Sequence, residues 1–396
     1  MKKQDIIKNS EEYILSTYTK TPAIFVKGKG MTLTDIDGKK YLDFFPGWGV
    51  NNVGHCHPKV VSAVRDQISK LIHIPNNFYI INQVKLAKEI VRCSFPAKVF
   101  FCNSGAEGCE AAIKFARIYG KGQRNEIITM KKSFHGRTLG ALAATGQLKY
   151  QQGFEPLPKG FKTIDFNDIS ALKEAINENT IAIMLELVQG EGGVNVASKQ
   201  YIEELRKICN EKDILLIFDE VQTGMGRTGE MFAFKNYNVQ PDLMVLAKAL
   251  GGGLPIGALV AKKQIADTFK PGMHASTFGG SPLVTKAALG TFKAIHSDKM
   301  LKNAKVMSLY ILDLLGKLKD KFDCIVDVRG LGLMIGIELK IEGKEVFEEC
   351  FKNGLIINCT QGNILRFMPA LNVTKKQANK ALYILEKALE KVTKIK

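Results

Sequence analysis

The 396-residue sequence predicts an α/β fold with a parallel sheet at its centre. Two features carry that expectation. Residues 214–218 and 243–247 are short, nearly all-apolar runs, as strands covered on both faces require. Residues 98–102 form a further run that enters Asn103-Ser104-Gly105-Ala106-Glu107. There, Ser104 and Glu107 have capping-box spacing and open a helix to about residue 119.

The totals set limits on this reading. The length suits two domains with an ample core. No run approaches the ~18 apolar residues of a membrane span, so no membrane partner is expected. The charged, acid-containing start MKKQDIIKNSEEYI is no signal peptide. Eight cysteines form no C-x-x-C pair and sit in or beside apolar runs, which implies reduced thiols and a cytoplasmic home. The net charge of +17 raises nucleic acid as a partner, but the lysines are scattered and form no basic block with interleaved aromatics. A solvated, lysine-rich surface that attracts small dianions is the expectation, with no nucleic-acid partner.

In chain order, residues 25–29 and 31–35 and the segment YLDFF form a small meander. His55-Cys56-His57 precede Pro58; with no further ligand at metal spacing, both histidines read as structural and no metal is expected. Helices follow at 58–71 and 82–93. After the 98–119 strand and helix, the capped N-terminus offers free amides and the positive end of a helix dipole, a phosphate site in outline. Residues 126–130 are a strand leading into Ser133-Phe134-His135-Gly136-Arg137-Thr138. Phe134 is either a stacking surface for a planar ring or plain core, and Arg137 either a bidentate fork for a carboxylate or half of a surface ion pair. Residues 148–166 read as irregular. A strand at 181–187 carries Glu186 near its end and runs into Gln189-Gly190-Glu191-Gly192-Gly193, followed by a helix at 200–210.

The central stretch then delivers Asp219 at one strand end and Lys248 at another, where ligands of open α/β sheets bind. A lone Asp or Lys there is commonly a cap, but Gly251-Gly252-Gly253 after Lys248 lets backbone approach a flat ring closely. An amine in apolar surroundings can become a nucleophile and form a Schiff base, and a carboxylate can keep a ring nitrogen protonated. That is the chemistry of pyridoxal phosphate. Gly224-Met225-Gly226-Arg227-Thr228-Gly229 matches the dinucleotide pattern but follows its strand too late to form the required tight turn. Beyond it, residues 256–262 are a strand and 274–280 a polar loop. Residues 283–319 are one long helical run. Strands at 324–328 and 333–339, a helix at 345–352, strands at 355–358 and 364–367, and a helix at 374–391 complete the chain.

FCNSGAEGCEAAIKFAR, SFHGRT, ELVQGEGG, IFDEVQTGMGRTG, LAKALGGGLPIGA and STFGGSPL, in this order, resemble the class III (subgroup II) aminotransferases over nearly the whole chain. The resemblance implies the pyridoxal-phosphate transferase fold of type I: a large domain at 58–285 with a mostly parallel seven-stranded sheet, and a smaller α+β domain from 1–57 and 286–396. It also implies a homodimer with shared sites. Lys248 corresponds to the Schiff-base lysine and Asp219 to the pyridinium partner. Gln222 would sit near the ring hydroxyl, with Val221 and Phe134 on the ring faces. Ser104, Gly105 and Ala106 would hold the phosphate with Thr277 of the partner subunit. Arg137 matches the α-carboxylate clamp, and Glu191 and Arg366 a switchable pair. The implied reaction moves the ω-amine of N-acetylornithine to 2-oxoglutarate, with ornithine, succinyl-diaminopimelate or 4-aminobutyrate as alternative donors. A basic binding protein without chemistry is the alternative of another class. Gly108-Cys109 (usually Ala-Asn), Ser281 (usually Asn) and Trp48 depart from the pattern; the first two bear on helix packing and loop capping, and Trp48 on substrate choice.

Overall fold

The computed structural model describes residues 2–394. Helix α1 (Lys3–Tyr13) precedes a meander of β1 (Phe25–Lys29), β2 (Thr32–Asp35) and β3 (Lys40–Asp43). Next come α2 (Pro58–Ile68) and α3 (Ile81–Cys93). The following units are β4 (Ala97–Cys102) with α4 (Gly105–Tyr119), and β5 (Glu126–Met130) with α5 (Leu139–Ala144) and α6 (Leu148–Gln151). Then β6 (Phe161–Ile164) leads to α7 (Ile169–Ala175), and β7 (Thr180–Leu185) to a short hairpin, β8 (Val188–Gln189) and β9 (Asn195–Val196), and α8 (Lys199–Glu211). Strands β10 (Leu215–Asp219), β11 (Leu243–Leu246) and β12 (Gly257–Lys262) complete the central sheet. The remainder is α9 (Pro282–Ser297), α10 (Met300–Lys321), β13 (Ile325–Leu331), β14 (Met334–Leu339), α11 (Gly343–Lys352), β15 (Leu355–Ile356), β16 (Asn358–Thr360), β17 (Ile364–Phe367) and α12 (Lys375–Lys394).

The seven-stranded sheet runs β4-β12-β11-β10-β7-β5-β6, with β12 alone antiparallel to its neighbours. Every residue of β7, β10 and β11 is buried. Along β10, Leu215 and Ile217 pack with α4 and α5, while Leu216 and Phe218 pack with α8 and the opposite core. Covering both faces removes the need for alternation, and each such side chain contributes about 1.5–3 kcal/mol. The same two-residue period puts Asp219 on the Leu215 face, under α4. Parallel pairing then gathers the ends of β7, β10 and β11, followed by Glu186, Asp219 and Lys248, at one sheet edge.

Three expectations need correction. The segment at 148–166 contains α6 and the edge strand β6, whose half-exposed Phe161-Lys162-Thr163-Ile164 gave no continuous apolar run. The single helix at 283–319 is two, broken where Lys299 takes a left-handed φ of 52°. The strand at 355–358 is split: β15 pairs parallel with β3, drawing the two chain ends into one four-stranded sheet, while β16 joins β13, β14 and β17.

Candidate active site

Asp219 is buried at the end of β10. Its Oδ2 lies 2.7 Å from His135 Nδ1 and accepts the Cys109 thiol at 3.6 Å, while Oδ1 accepts the Val221 N–H at 3.0 Å. Three groups thus converge on this carboxylate: an imidazole, a thiol and a backbone N–H. Burial pushes the His135 imidazole down, but the Asp219 bond and charge, with Glu186 nearby, carry it upward overall. His135 Nε2 is buried without a partner among the described residues. Glu186 accepts the N–H groups of Phe134 at 3.0 Å and Gly190 at 3.2 Å. Its burial, opposed by His135, pushes it up to about 7.

Lys248 follows β11 with a φ of 45° and opens a single 3₁₀ turn that Gly252 ends in the left-handed region. Lys248 is half-buried in the wall of a cavity. Burial therefore pushes its pKa down, against the opposing pull of Glu191 and Asp219. The cavity is about 480 Å³ and includes Ser104, Phe134, His135, Arg137, Asp219 and Lys248 in its wall. Gly105, Ala106, Glu191, Val221 and Gln222 also line it, so eleven chemistry-bearing positions converge there. A larger hollow of about 680 Å³ beside β5 and β6 offers no such pair, since its Lys131 and Asp165 bind each other at 2.8 Å.

At the mouth of α4, Ser104 Oγ accepts the Glu107 N–H at 3.2 Å, but the Glu107 carboxylate takes the N–H of Asn103, not of Ser104. The box is thus offset by one residue. The first-turn amides of Gly105 and Ala106 have no intrahelical acceptor and face the dipole's positive end. A Cβ on Gly105 would come within 2.9 Å of Val221 Cγ1, so this approach needs glycine.

Behind Glu191, and outside the cavity lining itself, fully buried Arg366 donates to Glu191 Oε1 at 2.7 Å and Oε2 at 3.3 Å, and its Nε to Asn358 at 2.7 Å. Its guanidinium lies 4.7 Å from the Phe45 ring and 5.6 Å from Trp48, whose side chain is 51% exposed. Arg137 is exposed and sits 4.2 Å over the Tyr150 ring. Thr277 is exposed and lines no part of the cavity in its own chain.

Sequence reasoning left His135 and Cys109 without roles at the carboxylate. Cys109, expected to bear on helix packing alone, touches Asp219. Gly108 is a packing residue in a specific sense: a Cβ there would meet Val245 Cγ1 at 2.7 Å. Ser281 precedes α9 but makes no side-chain cap bond. His55 and His57 bind separate carboxylates, Asp43 at 2.7 Å and Asp298 at 3.1 Å.

The family described as Aminotransferase class-III matches residues 13–389. The chain belongs to the class III aminotransferases. Among curated relatives, this aminotransferase is 51% identical to the acetylornithine aminotransferase of Methanocaldococcus jannaschii, with all of both chains covered. It is 47% identical to that of Caldanaerobacter subterraneus, over 98% of this chain and all of the relative. Among solved structures it resembles the ornithine aminotransferase of Toxoplasma gondii (TM-score 0.96, 31% identity, 100% and 97% coverage). It also resembles the acetylornithine aminotransferase of Elizabethkingia anophelis (TM-score 0.88, 32% identity, 99% and 100% coverage). The expected type I fold is therefore present, and the aminotransferase uses pyridoxal phosphate. The cavity fits that cofactor. It pairs a buried carboxylate with the half-buried Lys248, lays a glycine against Val221 at a helix N-terminus, and buries Gln222 Oε1 without a partner among the described residues.

Proposed function

We propose that the chain moves the ω-amino group of N-acetylornithine to 2-oxoglutarate, giving N-acetylglutamate semialdehyde and glutamate, in arginine biosynthesis. We further propose that it works as a cytoplasmic homodimer whose sites share Thr277. When bound, pyridoxal phosphate supplies an electron sink for the bond-breaking carbon. In the proposal Lys248 holds it covalently, Ser104, Gly105 and Ala106 hold its phosphate, Val221 and Phe134 cover its faces, and Gln222 meets its ring hydroxyl. Asp219, steadied by His135 and Cys109, supplies the negative charge that keeps a ring nitrogen protonated. The Lys248 amine, set free when the substrate amine takes its place and made less basic by burial, would take the proton from the amine-bearing carbon of the substrate and hand it to the carbon on the other side of the transferred nitrogen. Arg137 offers its exposed fork to the α-carboxylate.

The observation that carries the reading is the buried Arg366–Glu191 pair, whose carboxylate lines the cavity. A donor with an acylated α-amine brings one carboxylate and no spare cation, so the pair can stay closed. 2-Oxoglutarate brings a second carboxylate that a released Arg366 can accept. Leaving either partner buried and unpaired would cost several kcal/mol, which makes exchange of partners the economical route. Ornithine is a second reading, favoured by the fold likeness to the Toxoplasma gondii enzyme. Its free α-ammonium would need an acceptor, and Glu191 is already engaged by Arg366.

The test is turnover of the purified holoenzyme with 2-oxoglutarate and each donor in turn. N-acetylornithine should exceed ornithine, succinyl-diaminopimelate and 4-aminobutyrate in kcat/KM by at least about tenfold, a ~1.4 kcal/mol difference in transition-state binding. A higher value for any other donor overturns the assignment.

A further inference from the structure

We infer that Glu89, Cys93 and His296 form a binding site for a zinc-class divalent cation that staples α3 to α9, outside the active site. Glu89 and Cys93 stand one turn apart on one face of α3, and α9, packed against it, brings His296 to them. His296 Nε2 is 3.2 Å from Glu89 Oε1. Cys93 Sγ is 3.7 Å from His296 Nε2 and 3.8 Å from Glu89 Oε1. Tetrahedral zinc, with bonds of about 2.3 Å to sulfur and 2.0 Å to nitrogen or oxygen, sets edges of about 3.5 Å and 3.3 Å. The three atoms already lie within a few tenths of an ångström of one face of that tetrahedron. His296 is exposed, so the fourth position opens to water. The sulfur is buried, which shields the metal–thiolate bond. Among the described residues, the other thiol near both an imidazole and a carboxylate, Cys109, shares Asp219 with the active site and is not available in this way.

Two cations face the triad. Arg92 grips Glu89 at 2.6 and 2.9 Å and approaches His296 Nε2 at 3.2 Å, while Lys235 acts on Cys93 through its charge. Arg92 is 61% exposed and can swing into water, so it competes with the metal without blocking it. Burial, with the nearby Glu89, pushes the Cys93 thiol up.

Cobalt(II) is the probe, added to the full-length holoenzyme. Tetrahedral cobalt with a thiolate ligand absorbs in the red, away from the cofactor. One equivalent per chain should bind, be displaced by zinc, and raise the melting temperature, since the metal meets its ligands together only in the folded chain. Cys93→Ser and His296→Ala should each weaken binding at least about tenfold while keeping colour and turnover, Arg92→Ala should strengthen it several-fold, and His57→Ala should leave it unchanged. No red absorption at millimolar cobalt, or an absorption that survives Cys93→Ser, overturns the site.

Discussion

Lys248 must be neutral to take a proton, and burial against the pull of Glu191 and Asp219 decides how much of it is. Lys248→Ala should fold, lose the yellow colour of the holoenzyme and turn over negligibly; colour and wild-type rate together would assign the chemistry to another lysine. Gly108 makes an independent prediction. Replacing glycine by alanine inside a helix gains about 1 kcal/mol, but a Cβ only 2.7 Å from Val245 Cγ1 meets a stiff β-branched side chain whose overpacking costs about 1–3 kcal/mol. Gly108→Ala should therefore lower stability by up to about 2 kcal/mol, and the double variant with Val245→Ala should cost less than the two singles combined. Denaturant melts of the four proteins decide it, and plain additivity would rule the contact out. Asp219 and Lys248 were legible because strand ends can be read from apolar runs. The Cys109 and His135 contacts were not, because they join residues 110 and 84 positions apart across a face that only folding brings together. The Glu89–Cys93–His296 group was hidden for the same reason, its third member lying 203 residues beyond the second.

At the scale of elements, β10 ends in Asp219 and is followed at once by a second carboxylate, Glu220, with different surroundings. Asp219 meets a histidine, a thiol and one backbone N–H, whereas Glu220 accepts the N–H groups of Ala233 at 2.6 Å and Phe234 at 2.8 Å and the Thr223 hydroxyl at 3.4 Å. Burial pushes Glu220 up to about 7 despite those bonds. A folded-state pKa above the unfolded value of about 4.3 means the folded chain binds the extra proton between them. Its contribution to stability is complete below about pH 4 and is lost as pH rises through 7. Glu220→Gln, which cannot ionise, should flatten the fall in melting temperature between about pH 5 and 8; an unchanged slope would show that Glu220 is not the titrating group. Elements with full burial or a clear cap were the readable ones. Edge strand β6 was missed because two of its four residues face solvent, and the break between α9 and α10 because one left-handed lysine leaves no mark in the apolar pattern.

For the whole molecule, the parallel sheet gathers strand ends distant in sequence, and β15 beside β3 ties the chain's C-terminal third to its start. If two subunits share each site, co-expressing Lys248→Ala with Thr277→Val should restore activity above either parent, because one site of the mixed dimer is intact; no gain would place Thr277 within its own chain's work. The central claim is that one pocket accepts both the donor and 2-oxoglutarate because Glu191 closes on Arg366 in one half-reaction and releases it in the other. Glu191→Ala leaves the buried guanidinium permanently available, which should favour the dicarboxylate partner over the acylated donor. The measurement is the rate at which each amine, added alone, bleaches the yellow holoenzyme of wild type and of Glu191→Ala. The expected result is a shift of preference from N-acetylornithine toward glutamate by about tenfold or more. Equal slowing with both amines would contradict the account and leave Glu191 a structural partner of Arg366.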